Sequence, residues 1–173
     1  MSSSSHIRIL SLAPSTGGFG FAVIERGALI NWGTKTAKGR YKNVEALAKA
    51  KALIVRYRPD IVVLENTSAK QSRHGIRIRT LTNQICKAAK KEKVRVKLVT
   101  RANMMKSYFP EGKGTNQGIA ELMAQRFPQE LKDRLPPKRR AWNSETARMH
   151  MFIAVALALM CVPRPTLQSS AAE

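Results

Sequence analysis

The chain has 173 residues, with 31 Lys and Arg against 11 Asp and Glu, a formal net charge of +20. Hydrophobic residues make up 43% and charged residues 24%, so there is apolar material for a core and an intrinsically disordered tail protein is excluded. The sign of the charge argues against a cationic partner and points to an anionic polymer, of which nucleic acid is the commonest, with a ribosomal assembly or an anionic membrane surface as alternatives.

One domain fits this length. We expect a loose N-terminus over 1–5, a single domain over 6–162 and a tail over 163–173. The longest uncharged apolar run, 151–162, falls short of the roughly 20 residues that cross a membrane. No signal peptide is expected, because Met1 to Ser5 has no basic region and Arg8 breaks the apolar stretch that follows. Cys86 and Cys161 form neither a disulfide framework nor a metal spacing, and the three histidines are scattered. A reducing, cytoplasmic compartment is the expectation.

Ile7, Ile9, Leu10 and Leu12 predict a first strand, ending at Ala13-Pro14. Phe19 to Glu25 and Ala28 to Trp32 predict two more, and the short connections imply an antiparallel meander. Residues 34–42 read as a basic loop. Asn43 can cap a helix running to Tyr57, with Leu47, Ala50, Ile54 and Tyr57 on one face. Ile61 to Leu64 is a continuous apolar run, the mark of a strand buried on both faces, and it stops at Glu65. After a loop over 66–75, a helix over 76–91 turns Ile78, Leu81, Ile85 and Ala88 inward. Val94, Val96 and Leu98 alternate with Arg95 and Lys97, predicting a fifth strand. Helices are expected over 101–109 and 115–127, and a Pro-rich basic linker over 128–142. The last helix, Ser144 to Cys161, is apolar nearly all round after His150 and should be buried. A meander followed by β-α units implies an α/β domain with one mixed five-stranded sheet flanked by helices.

Three segments carry a resemblance: ILSLAPSTGGFGFAVIE (9–25), IVVLEN (61–66) and HMFIAVALAL (150–159). In that order they resemble the motifs of RuvC-like Holliday junction resolvases, within the ribonuclease H-like nucleases, and the similarity spans about residues 7–161. It implies a ribonuclease H-like fold, a homodimer, branched double-stranded DNA as partner, and Mg2+ or Mn2+ as cofactor. The family's first catalytic aspartate falls on Ala13 and its final one on Ile153. Glu65 keeps its carboxylate, and His150 stands where members have aspartate or histidine. Glu65 and His150 are the remnants of a catalytic set, and Glu65 is the one candidate metal ligand.

Two divalent ions about 4 Å apart need several converging carboxylates. Asp60 starts the strand that Glu65 ends, Asp133 falls in the linker, and Glu145 lies about 12 Å along the helix from Ile153. None replaces the lost aspartates. The chain is therefore expected to be inactive or severely impaired as a nuclease, and to bind branched DNA with a depleted centre. An active metal-dependent endonuclease and a basic scaffold or RNA-binding subunit are the rival readings.

Glu65 has an ordinary reading as a strand-end carboxylate paired with a basic neighbour, and His150 as a residue at the core's edge. Ser15 to Gly20 lacks the spacing of a phosphate-binding loop and reads as a tight turn. The candidate nucleic-acid contacts form three strips: Lys70, Arg73, Arg77 and Arg79; Lys35, Lys38, Arg40 and Lys42; and Lys138, Arg139 and Arg140. Aromatics are 6% of the chain, and Trp32, Tyr41 and Phe109 are the few that could stack on bases, with core packing as their default. Binding through phosphates, weakened by salt, is expected.

Overall fold

The computed structural model describes residues 6–68, 74–138 and 147–163. Three strands open the domain, β1 (Arg8–Ser15), β2 (Gly18–Glu25) and β3 (Ala28–Thr36), followed by α1 (Lys42–Tyr57), β4 (Ile61–Glu65), α2 (Ile76–Lys91) and β5 (Arg95–Val99). Helices α3 (Arg101–Tyr108), α4 (Asn116–Arg126), α5 (Pro128–Leu131) and α6 (Ala147–Leu159) complete it, with a 3-10 turn over Lys132–Arg134. The sheet has five strands in the order β3-β2-β1-β4-β5. β1, β2 and β3 pair antiparallel, while β4 runs parallel to β1 and β5 parallel to β4.

Strand alternation divides the core into two layers. Leu10, Leu12, Phe19, Phe21, Val23, Val62 and Leu64 face α1 and α2. Ile9, Ala13, Ala22, Ile24 and Val63 face the layer built on α6, α4 and α3. β1 and β4 are covered on both sides, which is why their sequences are almost continuously apolar.

α6 is buried from Met151 to Ala158 because it lies between the sheet and the outer helices. Fully burying each large side chain there, such as Phe152 or Leu157, contributes about 1.5–3 kcal/mol. Two polar contacts fix its position. The buried Ser11 hydroxyl donates to the Ala154 carbonyl at 2.5 Å, and the Tyr108 hydroxyl donates to the Ala156 carbonyl at 2.6 Å. Burial raises the Tyr108 phenol well above its ordinary pKa of about 10.

One glycine admits this packing, and a second admits the close pairing of β3 with β2. A Cβ on Gly20 would sit 2.2 Å from the His150 carbonyl carbon and 2.3 Å from the Met151 nitrogen, so α6 approaches β2 backbone to backbone. Gly18 has φ +138, and a Cβ there would meet the Lys35 carbonyl oxygen at 1.9 Å.

Several local expectations are corrected. β3 runs to Thr36, because pairing with β2 continues to Gly18↔Thr36, so the basic loop is shorter than 34–42. Asn43 does not cap α1. The helix starts at Lys42 with no side-chain cap, and the Asn43 amide donates to the Arg77 carbonyl at 3.0 Å instead. Ala89 rather than Ala88 is the buried alanine of α2. Leu98 is exposed on edge strand β5, and Val99 turns into the core. The supposed linker begins with α5 and the 3-10 turn. Leu131 anchors it, fully buried against the α6 layer.

Candidate nucleic-acid interface

The carboxyl ends of the central parallel strands, where open α/β sheets bind ligands, bring the family-type positions together. Leu12 on β1 pairs with Leu64 on β4, so Ala13 and Glu65 are the next residues on neighbouring strands. Ala13 pairs across β1 and β2 with Gly20, over which α6 lays the backbone of His150. Ile153 follows one turn along α6. One end of the sheet therefore gathers Ala13, Glu65, His150 and Ile153.

Their chemistry is not that of a two-metal centre. Ala13 and Ile153 are 5% and 4% exposed within one apolar cluster, and neither has a donor atom. Glu65 is nearly buried and its carboxylate lies 3.2 Å from the His74 imidazole. Among the described residues, no group of three or more His, Cys, Asp and Glu side chains gathers to hold a metal ion. Asp60 is at the opposite end of β4, where its carboxylate accepts the Arg8 N–H at 2.8 Å, and Asp133 is in the 3-10 turn. Glu145 lies outside the described residues. Among the described residues, the side chains gathered at this end of the sheet do not fit the divalent-metal pair that the fold family implies.

His74 was not singled out from the sequence. Its loop lies far enough along the chain from Glu65 that no helical or strand spacing links the two. Only the return of the chain towards α2 brings them together.

At the same end of the sheet, on the α1–α2 side, is a cationic rim. The turn at Thr16–Gly17 is tight, as expected, and is held by the Ala37 N–H on the Gly17 carbonyl at 2.9 Å. The Thr16 carbonyl accepts from Arg77 of α2 at 2.9 Å and from Lys42 of α1 at 3.3 Å. Arg77 also donates to the Asn43 side chain at 3.3 Å. Among the described residues, neither Lys42 nor Arg77 forms an ion pair with a carboxylate. Two strips far apart in sequence are thereby joined at one turn.

The remaining candidates are dispersed. Lys35 lies 5.6 Å from the centre of the Phe21 ring. The Lys38 N–H is held by Glu45 at 3.2 Å, and Arg79 is exposed on α2. Lys138 is exposed beyond Pro136, whose carbonyl is bonded by Gln117 of α4, which places it with the α6 layer rather than the rim. Lys70, Arg73, Arg139 and Arg140 lie outside the described residues. Of the three aromatics, Trp32 and Phe109 pack against the core, whereas Tyr41 is 69% exposed.

Thermus thermophilus RuvC superposes with a TM-score of 0.63 at 15% identity, covering 88% of this chain and 92% of that one. The fold is that of the RuvC-type Holliday junction resolvases. A T. thermophilus RuvC complex with Holliday junction substrate matches at 0.61 and 16% identity, covering 89% and 91%. The fowlpox virus resolvase in complex with substrate Holliday junction DNA matches at 0.57 and 14%, covering 89% and 95%. No protein-family model and no curated protein matches by sequence.

Proposed function

We propose that this protein binds branched double-stranded DNA through the Arg77–Lys42 rim, with a nuclease centre that has lost its metal-binding carboxylates. One observation carries the reading: an apolar, closed centre at Ala13 and Ile153 shares one end of the sheet with an open cationic rim on the α1–α2 side, on a fold whose similar structures hold Holliday junction DNA. Cations without carboxylate partners suit phosphate oxygens, whose neutralisation releases counterions and makes binding steeply salt-dependent. Ile153 adds an obstacle beyond a missing ligand, because its branched apolar side chain excludes the water that a metal shell requires. A two-fold dimer would set two such rims beside a junction; sedimentation velocity measures it.

The test compares a four-way DNA junction with a matched linear duplex, in EDTA, Mg2+ or Mn2+ and at two salt concentrations. The expected result is metal-independent, salt-sensitive junction binding without cutting. Cutting is expected to appear in the double variant Ala13→Asp, Ile153→Asp. Efficient cutting by the unaltered chain overturns the depleted centre and makes the protein an active endonuclease. Equal affinity for junction, duplex and RNA replaces junction binding with a scaffold role.

A further inference from the structure

The rim opens into a groove of about 420 Å³, lined by Gly39, Arg40, Tyr41, Lys42, Val44 and Arg77 with Asn43 at its base. This volume is within the roughly 300–1,000 Å³ of small-ligand sites. The lining combines two chemistries. Lys42 and Arg77 supply cations held in place on the Thr16 carbonyl. Tyr41 and Val44 supply apolar surface, 69% and 67% exposed. Ile76, next to Arg77, is 82% exposed. A lone exposed apolar side chain is unremarkable. Here two of the six large hydrophobics exposed in the described residues line one cationic groove, and a third, Ile76, is the chain neighbour of its Arg77.

The Tyr41 main chain is held in place. Its carbonyl accepts the Glu45 N–H at 3.1 Å, so the ring stands on the start of a formed helix. The Arg40 guanidinium lies over one face of the ring, 5.9 Å from its centre, which puts a cation against that face and leaves the opposite face for stacking. An exposed ring flanked by cations matches a nucleotide, which carries a flat π-face and a phosphate together. It does not match paired DNA, whose bases are already stacked.

We propose that this groove takes an unpaired nucleotide of a DNA strand, with its base on Tyr41 and its phosphate at Lys42 and Arg77. The inference rests on the DNA-binding reading above and adds a site that distinguishes an unpaired base from a paired one.

The experiment uses the full chain and three duplexes of equal length: fully paired, with one bulged 2-aminopurine, and with an abasic bulge. Anisotropy measures affinity, and 2-aminopurine fluorescence reports stacking. The bulged base is expected to bind about tenfold tighter than the abasic bulge, with its fluorescence quenched. Tyr41→Ala is expected to abolish both effects, Tyr41→Phe to keep both, and affinity for paired duplex to stay unchanged in each. Binding of all three duplexes with equal affinity, or quenching that survives Tyr41→Ala, overturns the nucleotide site and leaves DNA binding standing. Absence of binding to paired duplex and junction alike, at low salt, overturns the DNA-binding reading together with it.

Discussion

The two helical layers treat the same end of the sheet in opposite ways. On the α6 side, Ala13 and Ile153 close the space with apolar atoms, and the backbones of β2 and α6 meet across Gly20. On the α1–α2 side, Lys42 and Arg77 converge on a single carbonyl and leave a groove open. Apolar atoms offer a metal ion neither water nor donor atoms, whereas open cations suit an anion such as phosphate. The comparison teaches that the two faces of one sheet end are independent in chemistry, since one is filled with hydrocarbon while the other keeps its charge; on the proposed reading, binding and cutting would reside in separable parts of the fold.

The largest effect is expected where the closed side is tightest. Gly20→Ala drives a methyl into the α6 backbone and should cost about 3 kcal/mol, read as a fall in the urea midpoint. Gly17→Ala is the contrast, because nothing lies within 4 Å of its Cβ, and it should shift stability by less than about 0.5 kcal/mol. Equal effects would show that α6 does not press on β2 as described.

On the open side, Arg77→Ala and Lys42→Ala should each weaken junction and duplex binding alike. Each should also flatten the slope of log affinity against log salt by about one unit, measured by anisotropy from 50 to 200 mM salt. An unchanged slope would remove the rim from the interface while leaving the fold untouched.

A smaller effect probes the closed side again. Tyr108→Phe deletes the hydroxyl that bonds the Ala156 carbonyl and should cost about 1–2 kcal/mol. Burial raises the phenol's pKa in the folded state, so its contribution is complete below about pH 10 and fades as pH rises further. The variant should therefore lose less stability than the parent above pH 10, as followed by thermal melting.

The smallest effect concerns the rim's loop. A hydrogen bond from Lys49, aided by the Lys38 N–H, holds Glu45 below its ordinary pKa of 4.5. Its stabilisation is present above that value and is lost as pH falls through the folded-state pKa. Exposure to solvent keeps it small and salt-sensitive. Glu45→Gln should narrow the difference in melting temperature between pH 6 and pH 3.5.

Much of the architecture was legible because it is local. The continuous apolar run Ile61 to Leu64, the switch to helical spacing after Asn43 and the nearly all-apolar stretch after His150 each announce burial on one or several faces. The errors fell where a tertiary partner outweighed the local signal. Asn43 is a good cap by type, but Arg77 presents a carbonyl to it. Leu98 alternates correctly, but an edge strand leaves it in water. In the candidate site, Ala13, Glu65, His150 and Ile153 could be named from motif order alone, since each sits at a set place on its own element.

By itself, then, the sequence determined the element order, the mixed sheet, the excess of positive charge and the identity of the side chains at the sheet's carboxyl end. The first three depend on periodicity and composition, which are properties of the chain, and the last on the resemblance of three segments to resolvase motifs. Only the tertiary structure decided that His74 faces Glu65, that Arg77 and Lys42 meet on Thr16, and that Tyr41 rather than Trp32 or Phe109 reaches solvent. The first two are meetings of residues that no helical or strand spacing links, the third is set by how the elements pack on the sheet, and no local pattern encodes them.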